Sequence, residues 1–120
     1  MYDLEGVLGP DVTQFVERHV RSLLTWDVLV FFERNPGAVI DAQGLASRLG
    51  RRVEEIELEI DPLCEEHILD CSGGLIRYKP SPDMQRKVTA FVDSCQDKRR
   101  RLALIALVLH NIKPQGEGSR

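Results

Sequence analysis

The sequence predicts one mostly α-helical domain that carries a small β-hairpin and ends in a long C-terminal helix. Three observations carry this expectation. Apolar residues recur at helical spacing through most of residues 11–69. Two short apolar runs flank Ser72-Gly73-Gly74, and a paired glycine supplies the positive φ that a tight turn needs. From Asp83 to Lys113 there is neither proline nor glycine. At 120 residues with 42% hydrophobic side chains, the chain has room for one core and not for two.

The elements follow in order. Residues 1–21 hold a loose "LEGVLGP" and then Val12, Phe15, Val16, His19 and Val20 on one helical stripe, with Asp11 as the expected N-cap. Ser22 caps a second helix, "LLTWDVLVFFER", whose density of Leu, Val, Phe and Trp marks it as the central core helix. It stops at "NPG", because Pro36 has no N–H with which to continue. The "AVI" that follows is a short strand. Asp41 then caps "AQGLASRL", and Gly50 closes that helix. In the next helix Val53, Ile56, Ile60, Leu63 and His67 share a stripe, with Cys64 beside it. Pro62 kinks this element or divides it, and a kink in one element is preferred because no loop residues intervene. "ILDCSGGLIRYKP" is the hairpin. Ser81-Pro82-Asp83 starts the last helix, about 32 residues and ~48 Å long if unbroken. The tail, residues 113–120, has nothing to bury and is expected to be disordered.

"DAQGLASRLG" followed by a helix and a glycine-turned hairpin resembles the winged helix-turn-helix of small bacterial transcription regulators, loosely of the MarR or PadR type. The resemblance covers residues 22–80 and implies a winged-helix domain there. Residues 81–112 would then be the dimerisation helix that such proteins often append. It further implies that the helix from Val53 enters the DNA major groove and that the hairpin lies against the backbone. Arg48, Arg51 and Arg52 before that helix, with Arg77 and Lys79 on the wing, are the residues this resemblance assigns to phosphate.

Charge complicates that assignment. Residues 1–70 hold 15 acidic and 6 basic side chains, whereas residues 71–120 hold 4 and 10. Between Val53 and Leu69 there are seven carboxylates and no Lys or Arg. Its solvent side is expected to show Glu54, Glu55, Leu58, Glu65 and Glu66, with Asp61 at the edge. Each carboxylate would oppose the counterion release that drives binding to duplex DNA. An apolar Leu58 in an acidic rim instead suits a basic or apolar protein segment, although a single exposed Leu is also ordinary surface. The leading expectation is a DNA-binding transcriptional regulator acting as a winged-helix homodimer; the alternative is an interaction module that does not bind DNA and uses Glu54, Glu55, Leu58, Asp61 and Glu65. A ligand-sensing dimer is a third and weaker possibility.

In the last helix Val88, Phe91, Cys95, Lys98, Leu102, Ile105, Leu109 and Ile112 alternate steps of three and four, a heptad seam broken only by Lys98. Ala103, Leu104, Ala106, Leu107 and Val108 make its end apolar all round. A homodimer through this seam is expected; the alternative is that the helix folds back onto its own core. "DKRRR" reads as a solvated face or as a phosphate-contacting stripe.

No enzyme motif is present: there is no P-loop, GxGxxG or nucleophile elbow. Cys64, His67 and Cys71 invite a zinc reading, but their place on the apolar stripe favours packed core residues, so neither metal nor cofactor is expected. The N-terminus lacks the features of a signal peptide, and "LALIALVL" is far shorter than the roughly 20 residues of a membrane span. The expectation is a reduced, cytoplasmic protein that does not enter membranes.

Overall fold

The computed structural model describes residues 4–111. It is mostly helical, with α1 (Leu4–Leu8), α2 (Pro10–His19), α3 (Leu23–Arg34), β1 (Val39–Ile40), α4 (Ala42–Leu49), α5 (Val53–Glu65), β2 (Leu69–Ser72), β3 (Leu75–Tyr78), α6 (Pro82–Ser94) and α7 (Lys98–Asn111). The strands form one antiparallel sheet in the order β1-β3-β2. Ile112 of the expected seam, and the tail from 113 to 120, lie outside the described residues.

Local chemistry explains most boundaries. The Ser22 hydroxyl accepts from the Thr25 N–H at 3.1 Å, the Asp41 carboxylate from Gly44 at 2.7 Å, and the Ser81 hydroxyl from Met84 at 3.2 Å. Each satisfies one of the amides that a helix start leaves unpaired. Gly50 ends α4 at φ 67°, and the two-residue turn at Gly73 and Gly74 has φ 64° and 75°, the left-handed pair that joins twisted strands. The hairpin registers Asp70 opposite Arg77 and Leu69 opposite Tyr78. Pro62 sits inside a single helix. One start differs: α2 begins at Pro10 with Gly9 before it, so Asp11 is a first-turn acid and not the cap.

The long last helix is corrected. It breaks after Ser94, and residues 95–97 turn the chain into a separate α7. The N–H groups of Cys95 and Gln96 bond three residues back, to Val92 and Asp93, which tightens the end of α6. Asp97 then caps α7, its carboxylate accepting from the Arg100 N–H at 2.9 Å. Folding back lets α7 bury Ala103, Leu104, Leu107 and Val108 against this chain's own core, which its α1 and α2 neighbours help to form. Val88 and Phe91 are fully buried in the same chain, so they cannot form the expected dimer seam. Phe91 stands 5.6 Å from the ring of Phe15 and 5.5 Å edge-on from Trp26, the aromatic centre of the helical layer. Cys95 is half-buried at the break, and burial pushes its thiol up to about 11.

The other cysteines are also corrected. Cys64 at the end of α5 and Cys71 on β2 form a disulfide, with Cα atoms 6.2 Å apart. The turn between them holds His67 at φ 62°, unusual for a residue with a side chain, and it swings β2 back beside the helix end. The two are joined and not free thiols. Cys64 still packs half-buried against the core as expected, whereas Cys71 is exposed, and a metal at Cys-x2-His-x3-Cys would need both sulfurs as thiolates. Among the described residues no helix is long and apolar enough to cross a membrane.

Candidate functional site

α5 is held on its inner side and open on its outer side. Ile56, Ile60 and Leu63 are buried. Two carboxylates are drawn inward as well. Glu59 accepts from the buried Thr25 hydroxyl at 2.6 Å, which ties α5 to the first turn of α3. Glu66, expected on the solvent side, is instead clamped by the Arg21 guanidinium. It also faces His19: His19 Nδ1 and Glu66 Oε1, both shut off from solvent, lie 3.0 Å apart with no other hydrogen-bond partner among the described residues. A proton on Nδ1 makes that contact favourable. These bonds fix both the rotation of α5 about its axis and the position of its C-terminal end. The disulfide adds a covalent tie to the hairpin.

The outer stripe is what remains. Glu54, Leu58, Asp61 and Glu65 are exposed in steps of four, three and four, with Glu57 also exposed beside them. Glu55 is partly withdrawn, because its carboxylate accepts from the Arg52 N–H at 3.1 Å and so secures the start of α5. Leu58 is 75% exposed. Beside it runs an open groove of about 350 Å³, lined by Leu23, Leu24, Arg51, Glu55, Leu58 and Glu59. Leu23 is 39% exposed there, so this core-helix residue contributes to the surface instead. The sequence held one clue: Leu23 directly follows the Ser22 cap, and a first-turn side chain has no preceding turn to cover it.

The basic residues are dispersed and partly spent. Arg48, exposed on α4, lies over the Phe31 ring at 5.9 Å. Arg51 is 3.6 Å from Asp27 on α3; burial raises the carboxyl group of Asp27, and this guanidinium pulls it back down. Arg77 is 3.7 Å from Asp70 across the hairpin. Only Arg52 and Lys79 of the five are without a side-chain partner among the described residues. Arg48, Arg51 and Arg52 share the corner between α4 and α5, while Arg77 and Lys79 belong to the β3 side.

A second polar centre is structural. Glu33 on α3 accepts from the Tyr78 hydroxyl at 2.9 Å and the Thr89 hydroxyl at 2.8 Å, joining the sheet and α6 to the core helix. Burial, with Glu33 close by, raises the Tyr78 phenol well above its ordinary value, so it stays a donor.

In comparisons with known proteins, no family model, no curated protein and no solved structure matches the chain.

Proposed function

We propose that the chain is a non-catalytic winged-helix interaction module that binds a basic, partly apolar helical segment on the outer face of α5. The winged-helix reading draws on the run α3-β1-α4-α5-β2-β3 and the sheet order β1-β3-β2. The observation that carries the function is Leu58, an exposed aliphatic side chain on a stripe of carboxylates beside a groove. An apolar anchor with a charged rim is how recognition surfaces separate affinity from selectivity. The internal bonds of Glu59 and Glu66 make the surface rigid before any partner arrives, which lowers the entropy cost of binding.

DNA binding is the second reading, favoured by the free side chains of Arg52 and Lys79 and by the exposed Arg48. It meets an electrostatic obstacle. Two of the five cations already face carboxylates, and the helix that would enter the groove presents Glu54, Glu57, Asp61 and Glu65 to the phosphates.

Fluorescence anisotropy separates the two, with a Leu/Lys amphipathic helical peptide and a random-sequence duplex as probes. The peptide binds, and Leu58→Asp weakens it by about 30-fold, the ~2 kcal/mol of a hot-spot residue. Duplex affinity at about 50 mM salt that falls when Arg52 and Lys79 become Ala, together with no peptide binding, overturns the proposal.

A further inference from the structure

We infer that the segment received by α5 is α7 of a second copy of this chain, lying antiparallel along it. This rests on the reading of α5 as an interaction surface and names its partner.

α5 and α7 are opposite in charge. Val53–Glu65 contains six carboxylates and no cation; Lys98–Asn111 contains Lys98, Arg99, Arg100 and Arg101 and no carboxylate. In α7 the charge sits at the end where the helix dipole opposes it, and in α5 only Glu65 does so, Glu54 and Glu55 lying in the favourable first turn. The cations of α7 occupy its first turn, where the helix already presents partial positive charge, and Glu65 closes α5, where the helix presents partial negative charge. Neither arrangement helps the isolated chain. Both are relieved when the C-terminal end of one helix lies beside the N-terminal end of the other.

The stripes match in spacing as well. The outward residues of α7 are Lys98, Leu102, Ile105 and Leu109, again in steps of four, three and four. Leu102 is 61% and Leu109 53% exposed, and Ile105 is half-buried. Leu102 and Leu109 are the part of the expected seam that the fold leaves uncovered, while Ile105 packs against the core. Set antiparallel against Glu54, Leu58, Asp61 and Glu65, the register places Glu65 opposite Lys98. Asp61 then lies opposite Leu102 with Arg101 adjacent, Leu58 opposite Ile105, and Glu54 opposite Leu109 with His110 adjacent. Leu58 and the half-buried Ile105 meet at the middle, Glu65 and Lys98 form the directly opposed charge pair, and Arg101 lies within reach of Asp61.

Pairing of α7 with its own copy is disfavoured by the same inventory. A parallel pair would set the four cations of each copy side by side, and an antiparallel pair would hold them at opposite ends but offer them no carboxylate. Within one chain the two faces do not meet, since Leu58 and Leu102 are both exposed. The contact is therefore made between copies.

Sedimentation equilibrium of the full chain, with circular dichroism to verify folding of each variant, tests the inference. The chain self-associates at micromolar concentration, and added salt weakens the association. Asp61→Arg and Arg101→Asp each weaken it by about tenfold, and the two changes mixed or combined restore it to within about threefold, as expected of a direct pair. A chain that stays monomeric overturns the inference, as does self-association lost in Leu109→Asp but untouched by Leu58→Asp. In either case the amphipathic peptide still reports on α5: binding sensitive to Leu58→Asp preserves the interaction surface without this partner, and its absence removes both.

Discussion

α6 and α7 are nearly equal in length, 13 and 14 residues, yet they bury their apolar side chains differently. α6 contributes Val88 and Phe91 to the interior with no exposure at all, and its outer side is polar. α7 buries Ala103, Leu104, Leu107 and Val108 and still leaves Leu102 and Leu109 in solvent. The difference teaches that the core is complete once α6 and one side of α7 are in place. Leu102 and Leu109 lie outside that interior, whereas Ile105 between them packs half-buried against it, so the two leucines are what remains available to another surface.

Substitutions can break or sharpen that contrast. Phe91→Ala removes the ring that contacts Phe15 and Trp26 and should cost about 3–5 kcal/mol, read from the urea midpoint. A loss under about 1 kcal/mol would mean that α6 is not the covered helix. Reducing the Cys64–Cys71 disulfide, which closes a short loop between residues seven apart, should lower stability by about 2 kcal/mol. That loss should add to the cost of Phe91→Ala to within about 0.5 kcal/mol, as for sites on separate elements, α5 and β2 against α6. Asp97→Ala sharpens the contrast through its sign. As the cap of α7 its loss costs about 1 kcal/mol, whereas at the middle of one unbroken helix alanine would stabilise by a few tenths. Leu102→Gln is the smallest effect, within about 0.5 kcal/mol of the parent in denaturation. A larger loss would show that the outer stripe of α7 supports its own chain.

These contrasts also mark what could be read in the chain before folding. The helix starts at Ser22, Asp41 and Ser81 and the turn at Gly73-Gly74 are legible because each depends on residues within three positions of one another. The break at residues 95–97 is not. It contains no proline or glycine, and the heptad spacing from Val88 to Leu109 runs through it without a slip. Periodicity says which side chains share a face, but not what covers that face. Val88 and Leu102 carry the same pattern and end in opposite environments. At the candidate surface, Leu58 and its acidic neighbours could be placed from spacing alone. The inward turn of Glu66 could not, since it depends on His19 and Arg21, more than forty positions away. The disulfide was equally hidden, because the approach of Cys71 to Cys64 needs His67 in a conformation that its residue type rarely adopts.

The claim on which the rest depends is that α5 meets a protein segment with its outer face and does not read DNA. Residue-resolved NMR of the folded chain, titrated first with the amphipathic peptide and then with duplex DNA, tests it most directly. The account predicts that the peptide shifts the amide signals of Glu54, Leu58, Asp61 and Glu65 and that the duplex leaves the spectrum unchanged. Shifts produced by the duplex at Arg52, Arg77 and Lys79, with Leu58 silent towards the peptide, would contradict it.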